Sequence, residues 1–447
     1  MGNELNCPIL EKNSFDLETE YIKFGLSSIQ GWKNIMEDYN FYSIDLCPNS
    51  SKKIDIFGIF DGHGGPEISK YISTHFLDNL LSNSSFKEGN YIQSLKETFI
   101  NIDNSLNTEK VKKELLKISD EFKLKEDEEI LEINKIYGNE EENLPEKEIE
   151  QIKCIKEILN PRNLIDCNIS SFSGCAGIVV LIINDKIYIA NAGNCRCIPI
   201  DGNGEVISEK TNKLHFINDE EEKNRIDVSS EFKEKKFYPE FLISSRGFGD
   251  FEYKENKWLK PEDQAVSPEP EVIEINYEEC KYLIIGSHGL FDDNKDMKLY
   301  NKTNQDITDN FLEEMKNNKN KKISNIIEEY FDKIIPKKKK EEQEKEQPFM
   351  DNMTCFVIQL LERPKVIEVK EEKKDKKEEK KEDKKQIKKI KDEEKIKMEK
   401  FQNNESNKSM KNLFSFFTNI HFKSDKNEKK EKKLENSASV RNLFKKK

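Results

Sequence analysis

Three short segments place carboxylates where the sequence predicts strands to end or begin. "QGWKNIMEDYN" contains the adjacent pair Glu37 and Asp38, "FGIFDGHGG" ends an apolar run at Asp61, and "FMDNMTCFVIQ" has Asp351 just before another apolar run. Oxygen ligands of this kind suit hard cations such as Mg²⁺ or Mn²⁺. Carboxylates from separate segments can hold two such ions around a shared water, which activates the water and clamps a phosphoryl group for in-line displacement.

Two histidines accompany these acidic residues. His63 follows Asp61 within "DGHGG", and "GSHGLFDD" brings His288 together with Asp292 and Asp293 after an apolar run. Imidazole titrates near neutral pH, so it can donate a proton to a leaving group, and its nitrogen can also bind a metal ion. Each segment alone is a weak signal, because an Asp-Gly pair is more often a turn than a ligand. Only their combination points to metal-assisted chemistry.

Apolar, β-branched runs must position these residues. "KIDIFGIF" leads directly into "DGHGG", "KYLIIGS" leads into His288, and "MTCFVIQLL" follows Asp351. A meander is predicted over "AGIVVLII", "KIYIANAG" and "RCIPI", with a hairpin turn at Asn184 and Asp185. "PEISKYISTHFLDNLL" has the apolar spacing of a helix that begins near Pro66. Strands that are apolar on both faces favour two packed sheets covered by helices.

Composition divides the chain into a folded part and a charged tail. Of 447 residues, 36% are charged and 35% hydrophobic, which is too polar for a chain that is globular throughout. The pattern predicts an N-terminal arm over 1–20, one domain over 21–362 and a disordered Lys/Glu-rich tail over 363–447. Charged insertions into the domain are predicted near 105–165, with one or two amphipathic helices, and near 336–348.

Charge and cysteine content exclude several partners and compartments. The formal net charge is −12 although the tail is rich in lysine, so the domain is acidic and nucleic acid is excluded as a partner. Nine cysteines without a CxxC pair argue against disulfides and zinc clusters, and for a reducing, cytoplasmic location, with the nucleus as an alternative. The sequence shows no signal peptide and no apolar stretch of membrane-spanning length. We expect a monomer.

The start "MGNELNC" allows a weak association with membranes. Gly2 follows Met1 as N-myristoylation requires, but Asn6 stands where a serine or threonine is usual. A basic tail together with an acylated Gly2 would supply the two signals that stable anchoring needs. We therefore expect a cytoplasmic protein with at most a weak membrane contact.

Taken together and in this order, the segments resemble the type 2C, metal-dependent (PPM) family of protein serine/threonine phosphatases. The resemblance covers residues 23 to about 361 and rests on "SSIQGWKNIMEDYN", "DIFGIFDGHGG", "SGCAGIVVLIINDKIYIANAGNCR", "EEEKNRI", "LISSRGFGDFEYK", "PEPEVIEI", "YLIIGSHGLFDD" and "DNMTCFVIQ". It implies an α+β fold, an α-β-β-α sandwich of two antiparallel sheets flanked by helices, with the metal site at one end between the sheets.

The resemblance also implies a role for each acidic segment. Asp61 would bridge two metal ions, Mg²⁺ or Mn²⁺, and Gly62 would offer its carbonyl. Glu37 and Asp38 would hold one ion, largely through waters, and Asp351 would hold the other. The substrates would be phosphoserine and phosphothreonine proteins, attacked by a hydroxide that bridges the metals without a covalent phosphoenzyme.

His63 and Lys33 would act on the phosphate ester itself. The resemblance gives His63 the role of general acid, which protonates the leaving seryl or threonyl oxygen. Lys33 stands where the family has a phosphate-binding arginine. It keeps the positive charge but loses the bidentate fork that matches phosphate geometry.

Two further positions depart from the family pattern. His288 stands where an aspartate is expected as the remaining ligand of the ion that Asp351 holds. Asn194 replaces an aspartate expected beside Asp292, at the position of a weaker third metal. Both changes remove negative charge from around the cations. Because imidazole nitrogen as a ligand favours Mn²⁺ over Mg²⁺, we expect His288 to shift the preference towards Mn²⁺.

Three interpretations follow. The first is a working phosphatase with altered metal preference or reduced rate. It is favoured by the residues of the family pattern that are intact, namely Glu37, Asp38, Asp61, Gly62, His63, Asp292 and Asp351. The second is a pseudophosphatase that binds phosphoproteins or partners without turnover, favoured by the two missing aspartates. The third is a scaffold that acts through its tail, in which "SMKNLF" and "SVRNLF" repeat one pattern.

Overall fold

The β-branched runs form two antiparallel sheets. The structure is a computed structural model that describes residues 4–46, 53–122, 169–230, 244–291, 303–335 and 351–363. Its strands are β1 (Glu4–Glu18), β2 (Ile22–Lys33), β3 (Tyr39–Ser43), β4 (Ile54–His63), β5 (Gly174–Ile183), β6 (Lys186–Ala192), β7 (Arg196–Ile200), β8 (Phe248–Gly249), β9 (Glu271–Asn276), β10 (Tyr282–Gly286) and β11 (Met353–Leu360). The first sheet has the order β1-β2-β11-β10-β7. The second has the order β3-β4-β5-β6-β9, with β8 paired to β5.

Helices cover the outer face of each sheet. They are α1 (Glu67–Ser82), α2 (Ser84–Glu88), α3 (Tyr91–Leu106), α4 (109–122), α5 (Ile169–Phe172), α6 (Glu220–Ser230), α7 (His288–Phe291), α8 (Asn304–Asn317) and α9 (Ile323–Ile334). Short 3₁₀ helices lie at Ser208–Lys210, Phe251–Tyr253, Pro261–Asp263 and Tyr277–Glu279. α1 and α3 pack on strands of the second sheet, and α9 packs on β1, β2 and β11 of the first. The predicted α-β-β-α sandwich is therefore confirmed.

Aromatic side chains fill the space between the sheets. The Phe24 ring on β2 lies 5.1 Å from the Phe57 ring on β4, and the Phe57 ring lies 5.4 Å from that of Phe356 on β11. All three side chains are fully buried. Because burial of this apolar surface stabilises the contact between the sheets, the ends of β2, β4 and β11 are held close to one another.

The predicted meander is right for two strands and wrong for the third. β5 and β6 form the expected hairpin, and its turn places Asn184 in the left-handed region with φ 51°. β7 instead crosses to the first sheet, where it pairs with β10. Gly193 lies at this crossing with φ 125°, a conformation that favours glycine. Apolar spacing predicts strands, but it does not identify their partners.

The ends and insertions of the predicted domain are described only in part. The arm predicted over 1–20 supplies the edge strand β1, which pairs with β2 from Glu4 opposite Lys33 to Glu18 opposite Lys23. The beginning of the charged insertion predicted near 105–165 is helical as α4. The remainder of that insertion, the insertion predicted near 336–348 and the tail from 364 onward lie outside the described residues.

Two findings concern cysteines and membrane spans. Five cysteines are buried and carry free thiols, namely Cys175, Cys195, Cys197, Cys280 and Cys355. Among the helices that the structure describes, none combines the length and the apolar character needed to span a bilayer. Five of the nine cysteines therefore lie buried in the domain without a disulfide partner.

Candidate active site

Four segments converge at one end of the sandwich. Lys33 ends β2, Asp61 lies near the end of β4, Asp351 precedes β11 and His288 follows β10. The Nζ of Lys33 lies 2.7 Å from the Oδ1 of Asp351. The backbone N–H of His288 donates to the Oδ2 of Asp61 at 2.8 Å. Residues that are far apart in the sequence therefore meet at neighbouring strand ends.

Glu37 ties together the loops that surround this site. Its carboxylate accepts a hydrogen bond from the Gly65 N–H at 2.7 Å and lies 3.2 Å from the Nζ of Lys33. Its own N–H donates to the Oδ1 of Asn352 at 2.8 Å, and its carbonyl accepts from the Ser69 hydroxyl at 2.5 Å. One residue thus joins the loop after β4, helix α1 and the segment before β11.

Gly62 lets the backbone of Glu37 come close to β4. A Cβ at position 62 would lie 2.4 Å from the carbonyl oxygen of Glu37 and 2.8 Å from the Oγ of Ser69. Because non-bonded carbon and oxygen atoms do not approach this closely, any other residue at 62 would displace the loop. The glycine is therefore required by the close packing of the two segments.

Asp38 carries an oxygen that no described residue satisfies. Its side chain is buried, and its Oδ2 accepts from the Thr354 hydroxyl at 2.9 Å. Its Oδ1 has no hydrogen-bond partner within the described part of the chain. Burial, followed by the negative charge of Asp351, raises the pKa of Asp38 to about 7. A buried carboxylate oxygen without a donor is costly, and a cation would satisfy it.

Asp61 lies in the same negative field. Burial and the charges of Asp38 and Asp351 raise the pKa of Asp61 well above its usual value. Burial lowers the pKa of Lys33, but the carboxylates of Asp351 and Glu37 outweigh burial and the net pKa is raised. Lys33 is therefore an ammonium ion that neutralises part of the carboxylate cluster.

The donor set has the chemistry of a hard-cation site. Carboxylate oxygens are preferred ligands of Mg²⁺ and Mn²⁺, and a cation would relieve the repulsion among Asp38, Asp61 and Asp351. However, no group of three or more His, Cys, Asp or Glu side chains in the described ranges is arranged to hold a metal ion. The ammonium of Lys33 lies between Glu37 and Asp351 instead. The residue types therefore suit divalent cations, but in this arrangement the Lys33 ammonium neutralises part of the cluster.

His63 is paired with a residue to which the sequence analysis assigned no role. Its Nε2 lies 2.8 Å from the Oδ2 and 3.0 Å from the Oδ1 of Asp250. Loss of solvation within the protein lowers the pKa of His63. The charge and hydrogen bond of Asp250 outweigh this effect, so the net pKa is raised. Asp250 ends "SRGFGD", and an acidic residue directly after Gly-Phe-Gly is the signal that could have identified it.

Of the positions linked to departures from the family pattern, the structure describes His288 and Asn194 but not Asp292. His288 is buried and begins the short helix α7, directly after β10. Asn194 is buried at the crossing between β6 and β7. Asp292 lies outside the described residues, and with it the predicted position of a third metal.

Comparisons with known proteins give one consistent description. The model of a family described as "Protein phosphatase 2C" matches residues 22–120 and 131–343. The chain is 28% identical over 361 residues to "Probable protein phosphatase 2C 6" of Paramecium tetraurelia, an alignment that spans 80% of this chain and 99% of that protein. It is also 28% identical over 380 residues to "Probable protein phosphatase 2C 21" of Arabidopsis thaliana, spanning 80% and 92%.

Among solved structures, a phosphatase from a pathogenic strain of Toxoplasma gondii is similar to the chain with a TM-score of 0.49 and 16% identity. That similarity covers 81% of this chain and 98% of the other. The match to the family model includes Lys33, Glu37, Asp61, His63 and Asp250, and it ends before Asp351.

Proposed function

Because the chain belongs to the protein phosphatase 2C family of serine/threonine phosphatases, we propose that it hydrolyses phosphoserine and phosphothreonine in proteins with the help of divalent cations. The observation that carries the proposal is the cluster of Asp38, Asp61 and Asp351 at the strand ends. Burial, followed by the charges of neighbouring carboxylates, raises the pKa values of Asp38 and Asp61, and a bound cation would offset both effects.

The proposed cation ligands are the carboxylates of Glu37, Asp38, Asp61 and Asp351, with the carbonyl of Gly62. Bound divalent cations would lower the pKa of the attacking water and neutralise the charge of the phosphoryl group. We propose Mn²⁺ in preference to Mg²⁺, because the imidazole of His288 follows β10 where a carboxylate would suit Mg²⁺ better.

Two side chains would act on the ester itself. Lys33 would contact a phosphoryl oxygen as a single point charge, after its ammonium leaves the carboxylates of Glu37 and Asp351. His63 would give a proton to the leaving seryl or threonyl oxygen. The ring is 41% exposed on its side chain, so substrate can reach it from solvent.

A pseudophosphatase is the second candidate function. Lys33 lies where it competes with a cation for Glu37 and Asp351, and His288 lacks the negative charge of an aspartate. Such a site would bind a phosphorylated segment through Lys33 without hydrolysing it. This alternative differs from the first in turnover and not in the chemistry that the site recognises.

Phosphate release from a phosphothreonine peptide separates the two candidates. The wild-type protein and Asp61→Asn are compared with Mg²⁺ and with Mn²⁺, and Asp185→Asn in the β5–β6 turn serves as the matched control. A phosphatase should release phosphate with Mn²⁺ and lose about a hundredfold or more in rate in Asp61→Asn alone. Binding of the peptide without release under either metal supports the pseudophosphatase.

His288→Asp gives a further arm of the same experiment. If the histidine is the cause of a weak response to Mg²⁺, this variant should gain Mg²⁺-dependent turnover relative to the wild type. An unchanged ratio of the Mg²⁺ rate to the Mn²⁺ rate would exclude His288 from the choice of metal.

A further inference from the structure

The carboxylate of Asp250 holds the imidazole ring of His63 in one orientation. Both carboxylate oxygens of Asp250 lie within 3.0 Å of the same ring nitrogen, Nε2. The Asp250 side chain is 5% exposed, whereas that of His63 is 41% exposed. The Nε2 edge of the ring is thus held by a buried carboxylate, while the side chain as a whole stays accessible to solvent.

The backbone around Asp250 is shaped for this contact. Asp250 adopts the left-handed conformation with φ 53°, which is uncommon for a residue other than glycine. A Cβ at Gly174 would lie 2.3 Å from the Oδ2 of Asp250, so the carboxylate occupies space that only a glycine leaves open. The N–H of Asp250 donates to the Ser173 carbonyl at 3.0 Å, and the Ser173 hydroxyl donates to the Gly64 carbonyl at 2.7 Å. Ser173 therefore ties Asp250 to the loop of His63.

A buried ion pair holds the segment on which Asp250 lies. The Nζ of Lys254 lies 2.8 and 2.9 Å from the two carboxylate oxygens of Asp103 on α3, with side chains 4% and 1% exposed. Lys254 also donates to the Gly247 carbonyl at 2.9 Å, and the Gly249 N–H donates to Asp103 at 2.8 Å. Residues on both sides of Asp250 are thus attached to α3.

We propose that Asp250 is the positioning residue of the general acid, and that the Asp103–Lys254 pair holds Asp250 against the Nε2 of His63. The inference rests on the proposed function, since it needs a leaving oxygen to be protonated. The Nε2–H stays with Asp250, and the proton on Nδ1 passes to the leaving oxygen as the P–O bond breaks. The attacking water gives one proton to solvent and the Nδ1 of His63 takes one up from solvent, so the protons balance and His63 returns to its starting state.

The buried pair of Asp103 and Lys254 restricts the geometry around Asp250. Buried ion pairs contribute little net stability, because desolvation offsets most of the attraction. They do restrict geometry, since both charges must keep their partners. Asp103 and Lys254 restrict the three residues before Asp250 and the short 3₁₀ helix after it. The ring of His63 then meets substrate in one orientation.

The test is the dependence of rate on the leaving group. Asp250→Asn keeps the size of the side chain but removes its charge, and the exposed Asp227→Asn on α6 is the matched control. Substrates are p-nitrophenyl phosphate, phenyl phosphate and a phosphothreonine peptide. The variant should lose about a hundredfold on the peptide and on phenyl phosphate, but less than about threefold on p-nitrophenyl phosphate, whose leaving group needs no acid.

Further variants separate positioning from general damage. His63→Gln should show the same pattern, and the double variant Asp250→Asn/His63→Gln should be no slower than His63→Gln alone, because both residues act as one unit. Asp103→Asn/Lys254→Met, which removes both buried charges together, should lose about tenfold on the peptide in the same leaving-group pattern. An equal loss on all three substrates, or additive losses in the double variant, would overturn the inference.

An NMR measurement that needs no turnover tests the contact between His63 and Asp250 separately from the proposed phosphatase activity. The chain has five histidines, so ¹⁵N ring resonances can be assigned with His63→Gln as reference. Asp250→Asn should move the Nε2 resonance of His63, and Asp227→Asn should not. A wild type that releases no phosphate with any cation contradicts the proposed function. An active wild type with an unmoved His63 resonance in Asp250→Asn contradicts this inference alone.

Discussion

At the candidate site, the ammonium of Lys33 lies 2.7 Å from Asp351 and 3.2 Å from Glu37, where it competes with any bound cation. An arginine at this position would present a planar fork, but a lysine is a compact charge on a flexible stem. Under the proposed function, the stem would let Lys33 leave the carboxylates and turn towards a phosphate. Binding of a cation and movement of Lys33 would then be coupled.

Lys33→Met should raise the affinity for Mn²⁺. The substitution removes the competing charge but keeps the length of the side chain, and we expect binding about tenfold tighter, which corresponds to about 1.4 kcal/mol. Isothermal titration of Mn²⁺ into the protein measures this directly. Lys23→Met is the matched control, since Lys23 is on the same strand and pairs with Glu18 at the surface. Unchanged or weaker Mn²⁺ binding by Lys33→Met would contradict the coupling.

The sequence identifies the acidic residues of the site better than their contacts. Motif order and the family resemblance were enough to select Asp38, Asp61 and Asp351, which the structure places at neighbouring strand ends. Their roles as metal ligands stay predictions. The acidic residue after Gly-Phe-Gly marks Asp250 as a candidate, but its contact with His63 could not be predicted, because it depends on a left-handed turn at Asp250 and on the buried pair of Asp103 and Lys254. Contacts of this kind depend on packing between distant segments, which residue types do not encode locally.

At the scale of elements, α9 lies directly against the backbone of β2. A Cβ at Gly25 would be 2.4 Å from the backbone nitrogen of Ser324 and 2.7 Å from the carbonyl carbon of Ile323. The side chains of Ile323, Ile326 and Ile327 enter the apolar core on this side of the first sheet. A glycine in the middle of a strand is thus explained by the helix that covers it.

Gly25→Ala should lower the free energy of unfolding by about 1–3 kcal/mol, because the backbone of α9 must shift to admit one methyl group. Urea denaturation measures the change. Gly202→Ala is the matched control, since a Cβ there has open space around it. Equal stability of the two variants would show that α9 does not pack as described.

Elements differ in how well the sequence predicts them. The runs that became β4, β5, β6, β10 and β11 were predicted from apolar content alone, and α1 from its spacing. The partner of β7 was predicted wrongly because β10, the strand with which it pairs, comes much later in the chain. A local pattern cannot show that a strand leaves its hairpin at Gly193 and joins another sheet.

At the scale of the whole molecule, the described chain begins and stops at opposite ends of the sandwich. Glu4 is paired with Lys33 at the end that carries the site. Arg363 forms an ion pair with Asp55 near the start of β4, and its guanidinium lies over the rings of Tyr21 and Tyr277 at 5.2 and 4.8 Å.

Arg363 was assigned to the tail, but its contacts are those of the domain. The Asp55 side chain is fully buried, and Arg363 also donates to the Asn184 carbonyl at 2.9 Å. Arg363→Met should lower the free energy of unfolding by about 3–5 kcal/mol, because a buried carboxylate loses its counter-ion. Arg441→Met, a change of the same kind within the tail, is the control. Equal melting temperatures for both variants would contradict this boundary.

The proposed phosphatase activity requires that water attack phosphorus at the carboxylate cluster of this chain. Its most direct test is hydrolysis of a phosphothreonine peptide in ¹⁸O-enriched water with Mn²⁺, analysed by mass spectrometry of both products. We predict one solvent oxygen in each released phosphate, none in the threonine hydroxyl, no phosphorylated protein after acid quench, and a rate at least about a hundredfold lower in Asp61→Asn. Absence of phosphate release, or ¹⁸O in the threonine hydroxyl, would contradict attack of water on phosphorus at this cluster.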